Sequence, residues 1–325
     1  SSPFGSGLPP ATARGLREAS EATAADHPMR DHLVVIQHGM CATPDEVSNL
    51  KRGLEGAFPG RLRAVLVDVN RGRTTDGVAA SGARLAELVR GLAPAAGGCV
   101  SFVGHSMGGV VARWAVKVLE EEGWFDASGV RAANFVTTAS PHLGIADIGA
   151  CWRLGASLLG GVLGATVRDL SLQTGAMAEL TGEAALRGLR RFARRAAYGN
   201  LADDVGVRPC TSLMLPSRPV LPNLEPGMPH AIPPSHAKAL LSSADLADSF
   251  PAQHIPAVRD MLGRLDTVAW ERYAVHFPYR PELGWRGDAH HKICNHGSWD
   301  RNNCGARVVA HMCEGFAVDP ARHRL

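Results

Sequence analysis

Short apolar runs alternating with helix-length amphipathic stretches, in a glycine-rich chain, predict an α/β architecture with a mostly parallel sheet. The 325 residues include 36 glycines, 45% hydrophobic and 6% aromatic residues. That balance suits tight strand-to-helix turns and close helix-to-sheet contact better than a β-sandwich. Leu33-Val34-Val35-Ile36, ending in His38-Gly39, fits a buried parallel strand that runs into a loop. Asp45 to Ala57 reads as a helix and Leu62 to Val67 as a second strand. Gly77 to Leu92 follows as a helix, with Leu85, Leu88 and Val89 at helical spacing. Cys99 to Val103 is a third strand; after a tight turn, Met107 to Glu122 carries Val110, Val111, Trp114 and Val118 on one stripe. Ala133 to Thr138 is the fourth strand, and the alternation predicts helices on both sheet faces with right-handed crossovers.

Around this frame the sequence predicts a loose extension over residues 1–30 and one domain over 31–325, interrupted twice. Residues 142–195 form a long insertion in which Leu143, Ile145, Ile148, Trp152, Leu154, Leu158, Leu159, Val162 and Leu163 are interleaved with glycines. It reads either as a mobile apolar lid or as a helical hairpin packed on the core. Residues 209–256 hold ten prolines and little periodicity, so they read as an excursion outside the sheet. Between the two, Glu183 to Ala197 is predicted to be one basic amphipathic helix. Arg187, Arg190, Arg191, Arg194 and Arg195 would fall within an arc of about 140°, as a face for anionic lipid headgroups or as a solvated outer face.

A net charge of +3 argues against nucleic acid as a partner. The longest central uncharged run, Leu154 to Val167, has 14 residues, short of the roughly 20 that a spanning helix needs, so no transmembrane segment is expected. Seven scattered cysteines predict reduced thiols and an intracellular compartment. The chain opens Ser1-Ser2-Pro3, without methionine, so the compartment is not legible from that end. Cys294, Cys304 and Cys313 lie among histidines, but without Cys-x-x-Cys or tight histidine spacing no metal site is expected there.

The chemistry is predicted at the turn between the third strand and its helix, Gly104-His105-Ser106-Met107-Gly108-Gly109. Gly-x-Ser-x-Gly in a strand-turn-helix context is the nucleophile elbow of the α/β-hydrolase fold. Gly104 and Gly108 are the elbow glycines, needed because side chains there would meet the neighbouring strand or helix. Ser106 is then the candidate nucleophile, with the Met107 amide at the positive end of a helix as one oxyanion donor. The second donor belongs in the loop after an early strand, where His38-Gly39-Met40 offers the Met40 amide, with Gly39 in reserve. His38 reads as a brace for that loop. An acid is expected after a later strand, where Ala196 to Leu201 leads into Asp203-Asp204, and a histidine in the loop before the last helix, which contains His290, His291 and His296. His276, alternating with apolar neighbours on the strand Arg272 to Phe277, reads as structural.

His32 to Met40, Asn70 with Thr75-Asp76-Gly77, Ser101 to Ala112 and Asn134 to Gly144 together resemble the putative serine esterase family of lipase-like α/β-hydrolases, with eukaryotic members including plant and algal ones. The resemblance extends over roughly residues 32–316. It implies hydrolysis of carboxylic esters of lipid-like acyl groups by a serine triad without a cofactor. Within the family pattern Asp204 takes the acid's place over Asp203. The pattern Ala289-His290-His291-Lys292-Ile293 makes His290 the base, with His291 second. The resemblance thus implies a Ser106–His290–Asp204 triad. An acyltransferase using the same triad and a catalytically silent binding protein on the same fold are the rival readings.

Overall fold

The computed structural model describes residues 32–145, 164–216, 219, 221, 224–234, 250–278, 289–296 and 303–318. The N-terminal extension and insertion residues 146–163, with Ile148, Trp152, Leu154, Leu158, Leu159, Val162 and Leu163, lie outside the described residues.

Seven strands form one sheet: β1 (His32–Gln37), β2 (Arg63–Leu66), β3 (Cys99–His105), β4 (Arg131–Thr138), β5 (Arg194–Asn200), β6 (His230–Ile232) and β7 (Glu271–Val275). Their spatial order is β2-β1-β3-β4-β5-β7-β6. All neighbouring pairs are parallel except β6–β7. The chain first winds from β1 to β2 on one side, then returns to place β3 on the other side of β1. At such a switch the loops leaving β1 and β3 diverge, and the crevice at their carboxyl ends is where open α/β sheets bind ligands.

Continuous burial explains why β1 and β3 read so plainly in the sequence: every residue of both is buried, because helices cover both faces. On one face α1 (Ser48–Ala57) and the C-terminal helix pack against Val34, Ile36 and Val103. On the other, α2 (Val78–Gly91) and α3 (Met107–Glu121) cover Leu33, Val35 and Phe102. Asn70 locks the loop after β2 by donating to Gln37 Oε1 (2.8 Å) and the Ser81 carbonyl (3.1 Å) while accepting from Arg84 Nε (2.8 Å).

The described parts of the insertion are tied to the core. Thr166 Oγ1 accepts from the Gly77 amide and Asp169 Oδ2 from the Val78 amide, both at 2.9 Å, so Asp169 serves as a remote cap for the N-terminus of α2. Arg113, 1% exposed on α3, donates to the carbonyls of His142 (3.0 Å) and Leu180 (2.7 Å).

The single basic helix over Glu183 to Ala197 is not present. α4 (Glu183–Arg190) ends four residues before β5 begins at Arg194, so the arginine arc, counted at helical pitch, runs past the helix end. The arginines also disperse. Arg187 and Arg191 pair with Glu120, and Arg191 also grips both oxygens of Asp126 at 2.7 and 2.6 Å. Arg190 bonds Glu183 and Thr267, and Arg194, 7% exposed, pairs with Glu271. Arg195 donates to the carbonyls of Ala269, Leu189 and Phe192. Each of the five is thus engaged by an acidic side chain, a hydroxyl or a backbone carbonyl, and the arc predicted as one helical face is divided between a helix end and a strand.

β6 and α5 (Ile255–Leu265) are among the elements that the sequence does not predict. β6 corrects the expectation that residues 209–256 run outside the sheet: it lies within that proline-rich stretch and pairs antiparallel with β7 at the sheet edge. α5 starts with Pro256 in its first turn and buries Val258, Met261, Leu262 and Leu265. The last helix among the described residues, expected from about Cys304 to Phe316, is α6 (Ala306–Glu314). No helix among the described residues is long and apolar enough to cross a membrane.

Candidate active site

Ser106 caps the N-terminus of α3 with φ 54° and ψ −132°, a backbone conformation that L-residues rarely adopt. The surrounding glycines make the bend sterically feasible. A Cβ on Gly104 would come within 2.4 Å of the Gly109 backbone, and one on Gly108 within 2.3 Å of the Gln37 carbonyl oxygen. The bend is held by the Ser106 amide donating to the Thr138 carbonyl (2.9 Å). It places the serine at the positive end of a 15-residue helix.

The loop after β1 folds over this serine. Gly39 approaches so closely that a Cβ there would lie 3.0 Å from Ser106 Cβ and 3.4 Å from Oγ. His38 braces the loop, its Nδ1–H donating to the Gly39 carbonyl (3.0 Å). The Gly39 amide, held in reserve by the sequence reading as an oxyanion donor, is engaged with Glu46 Oε2 at 2.8 Å. That bond removes it from the donor set. The amides of Met40 and Met107 have no acceptor among the described residues, and both residues line the cavity with Ser106.

That cavity, about 290 Å³, is also lined by His290, and its wall includes Pro141, Ile145, Leu170 and Val207. Ile145 and Leu170 belong to the insertion, whose described ends therefore contribute part of the apolar wall. Beside the cavity, His290 Nδ1–H donates to Asp204 Oδ2 (3.0 Å). Asn200 Nδ2 donates to the same oxygen (2.7 Å) and to the Ala289 carbonyl (3.1 Å), tying the acid loop to the residue before His290. The amides of Gly206 (3.0 Å) and Val207 (2.8 Å) donate to Oδ1. Asp203, by contrast, sits at φ 59° and makes no hydrogen bond to His290, whose Nδ1–H is taken by Asp204.

Burial would raise the Asp204 carboxyl, but the charge and hydrogen bond of His290, with Asn200 and the Val207 amide, outweigh it and hold the group below the ordinary carboxylate range. Burial likewise opposes a charged His290, yet Asp204, by charge and hydrogen bond, and Glu46, by charge, bring it above its ordinary value. The side chain of Asp204 is 1% exposed and that of His290 15%.

Glu46, which the sequence places only at the start of a helix, is buried within the site. Its Oε1 lies 3.5 Å from His291 Nδ1 and 3.9 Å from His105 Nε2. Burial would raise the Glu46 carboxyl, but the surrounding histidines and the Gly39 amide prevail and take it down to about 2. Burial outweighs the Glu46 charge and takes the His105 imidazole down to about 3. Glu46, His105 and His291 are the one group of three metal-capable side chains found among the described residues. Among the described residues no cysteine joins that group.

Residues 27–214 match the family described as "Putative serine esterase (DUF676)"; the match contains Ser106 and Asp204 and ends before His290. Putative lipase ROG1 of Saccharomyces cerevisiae is 32% identical over 188 residues, which cover 54% of this chain and 27% of that protein. Putative lipase YDL109C of the same yeast is 28% identical over 208 residues, 58% of this chain and 31% of that protein. The chain thus spans less than a third of the length of these two relatives. Among solved structures, Aspergillus fumigatus lipase B aligns over 57% of this chain and 42% of its own, at 14% identity and a TM-score of 0.41. The RedJ thioesterase of Streptomyces coelicolor aligns over 89% of this chain and 96% of its own, at 14% identity and a TM-score of 0.39. With more than half of its length inside the family match, this chain, an α/β-hydrolase by its sheet order and elbow, belongs to the putative serine esterase family DUF676.

Proposed function

We propose that this chain is a serine hydrolase that cleaves carboxylic esters of lipid-like acyl groups through an acyl-enzyme, with Ser106 as nucleophile, His290 as base and Asp204 as the orienting acid. One observation carries the reading. A serine held in a strained elbow shares a cavity with a histidine whose Nδ1–H is committed to a buried, four-donor carboxylate. With Nδ1 protonated by that bond, Nε2 is the basic nitrogen available toward the cavity.

His290 Nε2 takes the Ser106 proton as Oγ attacks the ester carbonyl, and Asp204 stabilises the imidazolium that forms. The negative charge developing on the carbonyl oxygen is met by the amides of Met107 and Met40 and by the N-terminus of α3. The imidazolium then protonates the leaving alcohol, and the same histidine activates water to release the acyl group. The apolar wall of Pro141, Ile145, Leu170 and Val207 suits an acyl chain. The yeast relatives' name, putative lipase, supports a lipid-like substrate class.

Turnover of a short p-nitrophenyl ester tests the reading: the wild-type chain should release p-nitrophenol and Ser106→Ala should not. A wild-type chain without turnover on short or long acyl esters would favour a binding role. Product analysis with water and competing alcohols separates hydrolysis from acyl transfer.

A further inference from the structure

We propose that Glu46, His105 and His291 form a binding site for a divalent transition-metal ion, zinc above the others, with three protein ligands and a fourth position open to the Ser106 cavity. One glutamate and two imidazoles are a donor set suited to zinc, and three protein ligands with one open position is the arrangement of a reactive or exchangeable zinc rather than a closed structural one. The three side chains come from distant parts of the chain: the turn after β1, the last residue of β3 and the one-turn helix Ala289–Lys292. Their ligand atoms all lie within 4.8 Å of one another, with edges of 3.5 Å and 3.9 Å from Glu46 Oε1. A tetrahedral zinc with bonds of about 2.0–2.1 Å has ligand–ligand edges of about 3.4 Å, so modest contraction closes the set. His291 lies at the cavity edge with its side chain 31% exposed, where such a shift disturbs little of the core.

Three observations point to a cation here rather than to a closed hydrogen-bond network. Glu46 is buried, and among the described residues no lysine or arginine pairs with it, whereas buried charges are ordinarily paired or coordinate metals. His105 is fully buried, and its Nε2 has no hydrogen-bond partner among the described residues while facing Glu46 Oε1. The outer atoms of two ligands are already anchored: Glu46 Oε2 accepts from the Gly39 amide (2.8 Å), and His105 Nδ1 bonds Thr138 Oγ1 (3.0 Å). Metal-binding imidazoles and carboxylates are ordinarily oriented by such outer bonds. Glu46 and His291 both line the cavity, so the open coordination position faces the space beside Ser106.

Metal binding is read without reference to catalysis on chelator-stripped Ser106→Ala protein titrated with Co²⁺. The expected result is saturable, one-to-one visible d–d bands of a four- or five-coordinate nitrogen and oxygen site, without a thiolate charge-transfer band, and displaced by Zn²⁺. His291→Ala should weaken binding by more than about 100-fold, and Thr138→Val, which removes an outer anchor, by about 10- to 100-fold. His291 is the decisive position because it lies at the cavity edge, whereas replacing buried His105 risks the fold. Only six-coordinate Co²⁺ spectra, a thiolate band, or unchanged affinity in His291→Ala would overturn the site. In the wild-type chain, and resting on the esterase reading, Zn²⁺ at site-filling concentration should lower ester turnover, with recovery on adding chelator. Unaltered turnover at a Zn²⁺ concentration that displaces the Co²⁺ bands would overturn the placement of the open position in the cavity.

Discussion

Two carboxylate–imidazole groupings flank Ser106, and they are built on opposite plans. Asp204 is saturated: His290 and Asn200 donate to one oxygen, and the amides of Gly206 and Val207 to the other. Glu46 has one oxygen held by the Gly39 amide, while the other faces two imidazole nitrogens at 3.5 and 3.9 Å. Both carboxyls are buried and both are held below their ordinary range. Burial and charge therefore do not distinguish them; hydrogen-bond saturation does. A fully bonded carboxylate can fix an imidazole's tautomer and direction, as proton transfer requires. The partly bonded one anchors the oxyanion loop and leaves an oxygen facing two imidazole nitrogens.

The sharpest break of this comparison is a pair of matched substitutions. Asp204→Asn should lower kcat by roughly 10³- to 10⁴-fold, because an amide donor favours the wrong His290 tautomer. Glu46→Gln, which keeps an acceptor for the Gly39 amide, should cost less than about 10-fold, on the scale of one modest hydrogen bond. Equal losses in the two variants, measured on a p-nitrophenyl ester, would erase the distinction.

A packing test comes next. Gly108→Ala drives a Cβ to within 2.3 Å of the Gln37 carbonyl, backbone that cannot swing aside, so overpacking should lower stability by about 1–3 kcal/mol and shift the denaturant midpoint accordingly. An unchanged midpoint would mean that the β1 and β3 loops are less tightly joined than described.

Asn200→Ala should slow turnover by about 10-fold, since it removes one donor from Asp204 and the tie to Ala289, a loss of about 1.4 kcal/mol. A loss confined to KM would instead assign Asn200 to substrate binding.

The smallest effect is a pH displacement. The base must be neutral, and His290 is held above 6.5, so kcat/KM should rise with pH through a midpoint above that value. Removing the Asp204 charge should move that acid limb to lower pH. A wild-type limb below 6.5 would contradict the reported environment of His290.

What the sequence made legible follows from range. Leu33 to Ile36 and Cys99 to Val103 are read directly because a strand buried on both faces is a largely apolar run, broken here only by Ser101. The elbow is local as well: two glycines and a serine meet a steric demand within five residues. Glu46 was not legible, because its partners His105 and His291 are brought to it only by the assembled sheet. The Glu183 to Ala197 helix is not formed because five arginines match helical pitch across a turn, whereas the chain enters β5 at Arg194, a strand buried at every position but Arg195. β6 is three residues at a sheet edge among prolines, too short to carry a period.

The central claim is that Ser106 is made nucleophilic by His290 under the hold of Asp204, and covalent labelling with a fluorophosphonate probe tests it most directly. Peptide mapping by mass spectrometry should place the adduct on Ser106, and the labelling rate should collapse in His290→Ala but not in His291→Ala. An adduct elsewhere, or a rate untouched by loss of His290, would contradict it.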